Sequence, residues 1–409
     1  MLVCKHWKDT VECNPVLWTD IWLGRGLEHV DVRDEWIARL EALFRRSGTM
    51  PLTLTIILTS FDLEDASQFL LQHLPRCKTL VLQPPKCQID RTTRLRQKVS
   101  VVHRILSSPF PILRKFLISS FELQYEPDHR GPLLLDAPNL RSLDSSTYHI
   151  IPLVKPHGSP SCHGSLQYLS MVGGWGNVME LLPLATVSLP GLKSLSLKYT
   201  DHLWNILQIL DIPNLERLVV DCGLAEWFAE IDTPAPVLSH LHELTWYTDP
   251  SAVDEAPNLR HLLQHCPNIE SFLYSYQSSS VDAKEEYLER EDEDSLILAL
   301  SDPLHETHDS SPRLCPRLKR VHLVCANFEQ VRDLVLMRPA LQHVSLQYRK
   351  PGDDIVVQSK DVWREKVALV RRIRSKVEFE FERDGIAVVR PDLQEEERVF
   401  WDPSGTSSG

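Results

Sequence analysis

The chain has 409 residues, of which 43% are hydrophobic and 24% are charged. These fractions are typical of soluble globular proteins, and its apolar stretches are much shorter than the roughly 20 residues that a spanning helix needs. The formal net charge of −12 repels a phosphate backbone. We therefore expect a folded protein that binds neither a membrane nor a nucleic acid.

The cysteines and the N-terminus indicate an intracellular protein. Nine cysteines are scattered along the chain without any Cys-x-x-Cys pair, and no apolar run of signal-peptide length follows Met1. Both features suit a reducing compartment, where thiols stay free. We expect the protein in the cytoplasm, the nucleus or both.

The first predicted element is a short helix that ends before Pro15. Val3, Trp7 and Val11 recur at every fourth position and so share one face of this helix. Because proline cannot continue a helix, the chain turns there. We expect the turn to fold two large side chains back onto the helix, namely Leu17 and Trp18.

A second helix and a strand follow in the sequence. Residues 31–47 have an amphipathic helical pattern, and Gly48 marks its end. Residues 52–58 alternate as a strand does. The predicted inward side chains of the second helix are Trp36, Leu40, Leu43 and Phe44.

A phrase of the form Pro-x-Leu-x-x-Leu-x-Leu recurs through the middle of the chain. Good copies begin at Pro138, Pro190, Pro213, Pro267, Pro316 and Pro339. The first apolar positions Leu113, Leu140, Leu166, Leu192, Leu215 and Leu241 are spaced by 27, 26, 26, 23 and 26 residues. This spacing is typical of leucine-rich repeats, whose units of about 20 to 29 residues stack into a solenoid.

The segments between these phrases predict the rest of the repeating unit. Residues 69–82 and 261–274 match each other in register, and in both an apolar helical run meets a proline before the strand. The sequence therefore predicts an α/β solenoid with short parallel strands on its concave side and helices on its convex side.

Two regions depart from the repeat. Residues 276–312 contain the acidic run 285–294 and other polar stretches, which predict an inserted loop. Near the C-terminus, residues 361–374 have a helical pattern, and residues 377–389 predict a β-hairpin with an Asp-Gly turn. We expect these elements to cap the array and the last Ser- and Gly-rich residues to be disordered.

No recognised catalytic, metal-binding or cofactor-binding motif occurs. His305 and His308 lack the helical spacing of a zinc pair, and the glycines at 173–176 lack the Lys-Ser/Thr of a phosphate-binding loop. We therefore predict no enzymatic activity and no cofactor.

Residues that alternate with the buried leucines of each strand should point outward and form the binding surface for another protein. On the concave face these predicted site residues are Lys115, Tyr168, Lys198, Arg217, Asp221, Glu243, Tyr247, Arg320, His322, His343 and Gln347.

The N-terminal motifs resemble part of a known module. Val3-Cys-x-x-Trp7 followed by Pro15-Val-Leu17-Trp18 is similar to the second half of an F-box, as found in fungal F-box proteins that carry leucine-rich-repeat-like domains. The Leu-Pro pair that opens the F-box in that family does not precede Val3. We expect either a longer native product or an incomplete F-box.

The resemblance implies a function. The chain would be the substrate-recognition adaptor of a Skp1–cullin–F-box ubiquitin ligase, holding an unknown target protein on its repeat face. The residues that the resemblance assigns to the Skp1-type linker are Leu2, Val3, Trp7, Leu17 and Trp18. The alternative is a stand-alone protein-interaction scaffold without a ligase.

The predicted domain organisation has four parts. They are a partial F-box-like segment at 1–23, a connecting helix at 24–48, the solenoid at 49–349 and a C-terminal cap at 350–409.

Overall fold

The computed structural model describes a set of separate segments of the chain. These are residues 4–23, 33–57, 69–83, 105–106, 108–118, 137–145, 164–172, 187–198, 207, 210–222, 236–248, 259, 262–276, 300, 314–324, 328–348, 376, 378–383 and 386–388. Leu2, Val3, the acidic run 285–294 and the predicted helix at 361–374 lie outside the described residues, as do the side chains of Trp36 and Gln347.

The chain divides into two compact units. The first contains residues 1–196 and 205–214, and the second contains residues 197–204 and 215–409.

The first unit opens with a helix, a turn and a strand. Helix α1 (Lys5–Cys13) is followed by a 3-10 turn at Pro15–Trp18 and then by strand β1 (Asp20–Leu23). The ring nitrogen of Trp18 donates a hydrogen bond of 2.8 Å to the Val11 carbonyl, so Trp18 folds back onto the helix as predicted. Leu17 does not fold back, because its side chain is 56% exposed.

Helix α2 (Arg33–Arg46) connects this opening to the repeats. Arg46 lies over the Trp18 ring at 4.6 Å and forms an ion pair of 3.3 Å with Glu12. Leu40 and Phe44 are buried as predicted, and Gly48 ends the segment with a φ of +55°, a conformation that glycine adopts without strain.

Phe44 also anchors α2 to the next repeating unit. Its ring stacks on the His73 imidazole with 4.2 Å between centroids and packs edge-on against Phe69 at 5.4 Å. Arg76 completes the contact by donating to the Phe44 carbonyl at 3.2 Å. The aromatic side chain thus joins two helical segments that are distant in sequence.

The strands of the first unit stack in parallel, each beside the next. After β1 come β2 (Leu52–Ile57), β3 (Cys77–Gln83), β4 (Lys115–Ile118), β5 (Ser142–Ser145) and β6 (Tyr168–Val172). Two short strands, β7 (Val187–Ser188) and β9 (Leu210–Asp211), form a separate parallel pair. Strand β8 (Ser194–Lys198) begins in this unit.

The second unit continues the same pattern. Its parallel strands are β10 (Arg217–Cys222), β11 (Glu243–Thr248), β12 (Ser271–Tyr276), β13 (Arg320–Val324), β14 (His343–Tyr348) and β15 (Glu378–Arg383). Helix α3 (Phe328–Met337) precedes β14. Strand β16 (Ile386–Val388) pairs antiparallel with β15, which is the hairpin that the sequence predicts.

Register places the repeated leucines in buried columns. Leu80 of β3 stands beside Phe116 of β4, which stands beside Leu143 of β5 and then Leu169 of β6, and all four are buried. A single repeating unit would leave these side chains exposed to water, so their burial requires a neighbouring unit on either side. The predicted leucine-rich-repeat-like solenoid is therefore the fold of the chain.

Three of the turns that precede strands are held by the asparagine of a Pro-Asn phrase. Asn139 donates to the Pro111 carbonyl at 2.6 Å, and Asn214 donates to the Pro190 carbonyl at 2.7 Å. Asn268 donates to the equivalent carbonyl of Ser239. Each bond reaches the preceding repeating unit and satisfies a turn carbonyl there.

The parallel array is longer than the predicted solenoid of residues 49–349. Strand β1 pairs with β2, and β15 pairs with β14, so the array begins at Asp20 and includes Arg383. The prediction relied on the proline-leucine phrase, which both end strands lack. Their alternating apolar residues nevertheless enter the same columns, since Ile21 stands beside Leu54.

A buried arginine closes the base of the predicted insertion. Arg338, which is 3% exposed, donates to the carbonyls of Leu300, Leu314 and Cys315 at 2.6, 2.5 and 2.6 Å. A planar guanidinium suits this role, because its donors form a fixed fork. The side chain thus holds together both flanks of residues 301–313.

Candidate protein-binding site

Three apolar side chains of the N-terminal segment face solvent. Trp7 on α1 is 63% exposed, and Val16 and Leu17 on the following turn are 57% and 56% exposed. We call these three residues the N-terminal apolar group. Large apolar side chains that remain this exposed mark a binding surface when they occur together.

Leu17 and Trp18 were predicted to fold back onto the helix on which Trp7 and Val11 share a face, but Trp7 is not covered. The described contacts between α2 and the opening segment involve the C-terminal end of α1 and the turn after it, where Arg46 meets Glu12 and Trp18. Val11 is half-buried beneath this contact, whereas Trp7 remains exposed. Of the predicted linker-binding residues, Trp18 therefore supports the surface and Trp7 and Leu17 belong to it.

Sequence reasoning did not select Val16 or Trp22 as site residues. Trp22 alternates with the buried Ile21 and Leu23 on β1 and is 49% exposed, and its ring nitrogen donates to Asp20 at 3.1 Å. The alternation itself was a sufficient signal for Trp22. Val16 carries no such signal, because it lies in a turn.

The predicted strand-face residues fall into three columns. The first position of each strand contains Lys115, Tyr168, Arg217, Glu243, Arg320 and His343. The third position contains His322, and the fifth contains Lys198, Asp221, Tyr247 and Gln347.

Three charged side chains of the second unit meet in one cluster. Glu243 accepts from Arg320 at 3.2 Å, and Arg217 lies 3.7 Å from the other oxygen of the same carboxylate. Strand β12 contributes Ser271 between Glu243 and Arg320, and its small side chain leaves room for the contact across it. We call Arg217, Glu243 and Arg320 the charged cluster.

The charged cluster is a surface feature. Its side chains are between 41% and 57% exposed. Exposed ion pairs contribute only about 0–1 kcal/mol to stability. The cluster therefore exposes two guanidinium groups and a carboxylate to solvent while contributing little to the stability of the fold. Exposed charged groups of this kind suit a polar recognition surface.

Two histidines lie next to this cluster in the register. His343 stands beside Arg320 in the first column. His322 has its Nδ1 atom 2.9 Å from the hydroxyl of Ser345 on the neighbouring strand. Tyr247 is half-buried on β11 and adds an aromatic surface to the same strand face.

Asp221 was predicted to be exposed, and this was wrong. The residue is 2% exposed. Its register neighbour is Tyr247, whose much longer side chain stands directly beside the aspartate. Alternation predicts the direction of a side chain but not the size of its neighbours, so Asp221 belongs to the interior of the strand face.

A second ion pair lies just ahead of the charged cluster. Lys319 donates to Glu270 at 2.9 Å, and this hydrogen bond is the main cause that lowers the pKa of Glu270 below its ordinary value. Both residues precede the first strand position and were not predicted as site residues. Their exposure follows from the two consecutive polar positions between leucines in the repeated phrase.

The described segments contain neither a metal-binding group nor a membrane-spanning helix. No three His, Cys, Asp or Glu side chains gather as metal ligands among the described residues, and His305 and His308 lie outside them. Within the same residues no helix is long and apolar enough to cross a membrane.

The stacked parallel strands and their outward polar columns define a leucine-rich-repeat-like solenoid, an architecture that offers an extended surface to other macromolecules. No protein-family model and no curated protein matches the chain.

The solved structures that are similar to the chain include two of low identity. One is the leucine-rich repeat-containing protein LegL7 from Legionella pneumophila, with 11% identity, a TM-score of 0.37, and coverage of 86% of this chain and 91% of that one. The other is the TLR13–ssRNA13 complex, with 14% identity, a TM-score of 0.33, and coverage of 75% of this chain and 43% of that one.

Proposed function

We propose that this chain is a non-enzymatic substrate receptor of a Skp1–cullin–F-box ubiquitin ligase. The N-terminal apolar group docks to a Skp1-type linker, and the strand face that carries the charged cluster holds the target protein. The chain supplies no catalytic group and acts by positioning target lysines close to the ligase, which raises their effective concentration.

The observation that carries the linker-binding part is the exposure of Trp7 on α1 and of Val16 and Leu17 on the turn that follows it. Trp18 is fixed to α1 by its bond to Val11 and covered by Arg46. The turn is therefore held in place while its apolar neighbours face outward. Pre-ordered apolar side chains suit docking, because little conformational entropy is lost on binding.

The linker test compares two double variants of the full chain in co-purification with a Skp1-type protein. Trp7→Ala with Leu17→Ala removes about 2–4 kcal/mol of apolar burial from the interface, so we expect a loss of association of at least thirtyfold. Leu336→Ala with Met337→Ala is the matched control, because it removes two exposed apolar side chains from α3 in the second unit.

The outcomes separate the two candidate functions. Association of the wild-type chain and the control, but not of the Trp7 and Leu17 variant, is expected. A wild-type chain that does not associate would contradict linker docking by this chain and favour a stand-alone protein-interaction scaffold.

The target-binding part is tested separately on the charged cluster. Substituting Arg217, Glu243 and Arg320 together by alanine should abolish target capture while leaving the fold intact, since all three are exposed. Circular dichroism checks the fold. Unchanged capture of proteins from a lysate would contradict the assignment of this face.

A further inference from the structure

One residue per repeating unit forms a continuous column just ahead of the strands of the first unit. The backbone N–H groups of Arg114, Arg141, Gln167 and Lys193 each donate to the carbonyl of the preceding member, starting at Lys78, over 2.8–2.9 Å. Directly bonded neighbours in a sheet are about 4.8 Å apart, so the five residues span roughly 19 Å. We call them the leading column.

The leading column is basic. Lys78, Arg114, Arg141 and Lys193 are all exposed, and Lys115 is exposed at the adjacent strand position. Among described residues 69–198 there are seven Lys or Arg side chains and one carboxylate, Asp144, which leaves a formal charge of +6. This local charge is opposite in sign to the −12 of the whole chain.

Four of these basic residues are not neutralised by a described carboxylate. None of Lys78, Arg114, Lys115 and Arg141 lies within 4.0 Å of a described carboxylate. Asp144 is half-buried at the third position of β5. Like charges on neighbouring strands repel each other, so the column lowers the stability of the unit unless a ligand binds it.

The second unit shows that the fold itself does not require basic residues at this position. The same backbone ladder there joins Glu216, His242, Glu270, Lys319 and Gln342 over 2.8–2.9 Å. Those side chains are of mixed charge, and Glu270 pairs with Lys319 at 2.9 Å. Among the described residues, a column made of four basic residues and one glutamine is thus present in the first unit and not in the second.

We propose that Lys78, Arg114, Lys115 and Arg141 bind an extended Asp- and Glu-rich segment of a partner protein. A strand-like peptide rises about 3.3 Å per residue, so roughly six of its residues match the length of the leading column. Arginine side chains bind carboxylates through paired hydrogen bonds, which favours such a ligand. This inference goes beyond the linker and target assignments above and does not depend on either of them.

A nucleic acid fits the column less well than an acidic peptide. The net charge of −12 on the whole chain opposes both an acidic peptide and a phosphate backbone, so charge alone does not distinguish them. Single-stranded nucleic acids, however, need stacking platforms, and in the described columns of the first unit only Tyr168 offers an aromatic ring beside the basic residues.

The test measures binding of a fluorescent decapeptide of alternating Asp and Glu to the full chain by anisotropy. Its Asn and Gln counterpart serves as the neutral control peptide. Arg114→Gln, Lys115→Gln and Arg141→Gln together should weaken binding about tenfold or more, because each charge-assisted bond is among the stronger polar contacts.

A matched triple variant controls for net charge. Arg317→Gln, Lys319→Gln and Lys376→Gln together remove the same number of positive charges from the second unit, outside the charged cluster, and we expect binding to change by less than about twofold. Lys78→Gln with Arg141→Gln is a second test variant that remains informative if the first one misfolds. The Trp7→Ala and Leu17→Ala variant should bind the peptide normally, which separates this inference from linker docking.

Three outcomes would overturn the inference. They are no binding of the acidic peptide by the wild-type chain, an equal loss in the two triple variants, and tighter binding of an oligothymidylate of the same charge than of the peptide. The last result would assign the column to nucleic acid instead.

Discussion

Gly191 lies where the backbones of two neighbouring repeating units come closest. A Cβ atom added there would stand 2.5 Å from the Gly164 carbonyl oxygen and 3.1 Å from that of Leu166. Both contacts are backbone atoms, which yield less readily than a side chain, so the position needs a residue without a Cβ. The close backbone packing therefore explains why this copy of the phrase has a glycine after its proline.

Replacing Gly191 by alanine should lower the free energy of unfolding by about 1–3 kcal/mol, the usual cost of forcing extra atoms into a packed site. Urea denaturation measures the change. Gly164→Ala is the matched control, because no atom lies within 4 Å of the added Cβ, and we expect a change within about 0.5 kcal/mol. Equal losses in the two variants would contradict the close approach.

At the scale of elements, the contact of α2 with the first repeat predicts a pH dependence. Burial, followed by the nearby Arg76 charge, lowers the pKa of His73 below its ordinary value of 6.5. As the pH falls, the His73 side chain therefore takes up a proton at a higher pH in the unfolded chain than in the folded chain. Stability should therefore fall as pH drops from 6.5 towards the lowered pKa, and it should be fully present above 6.5.

The measurement is urea denaturation across this pH range for the wild type and for His73→Phe. Phenylalanine preserves the ring stack on Phe44 but cannot take up a proton, so the variant should show a flatter dependence. His240→Phe is a control, because this exposed histidine lies in the second unit. Identical slopes for the wild type and His73→Phe would show that His73 does not carry the effect.

A structural feature can be predicted from the sequence when the residues that determine it follow a regular pattern along the chain. The strands follow from a repeated phrase whose period puts every leucine into a shared column, so Leu143 and Leu218 could be assigned to the core without a structure. The exposure of Trp7 depends on which part of α1 the helix α2 contacts, and Asp221 is buried beside Tyr247. Neither contact leaves a periodic signal, since both join residues from different elements.

The leading column was predictable but was missed for a different reason. Strict alternation assigns Lys115 to the outward face and passes over Arg114, which precedes it. In the repeated phrase, however, two consecutive residues separate the first two leucines, and neither of them is buried in the described units. Counting both positions across the units would have revealed Lys78, Arg114 and Arg141 as one basic series.

At the scale of the whole molecule, the stacking of the repeats determines which strands a destabilising substitution affects. Strand β5 pairs with β4 and β6, and its core residue Leu143 stands beside Phe116 and Leu169. In an array of this kind, stability is approximately a sum of terms for each repeat and for each interface between neighbours. A cavity in one repeat should therefore weaken its neighbours first.

Leu143→Ala should cost about 2–5 kcal/mol, because it removes a buried leucine and leaves a cavity. Hydrogen exchange followed by mass spectrometry should show faster exchange in β4, β5 and β6, with smaller changes in β1 and β2. Leu336→Ala, on an exposed position of α3, is expected to leave exchange unchanged. Local opening confines faster exchange to the strands next to the substituted one. An equal acceleration in all the strands of the first unit would therefore mean that this unit opens as one cooperative core and not repeat by repeat.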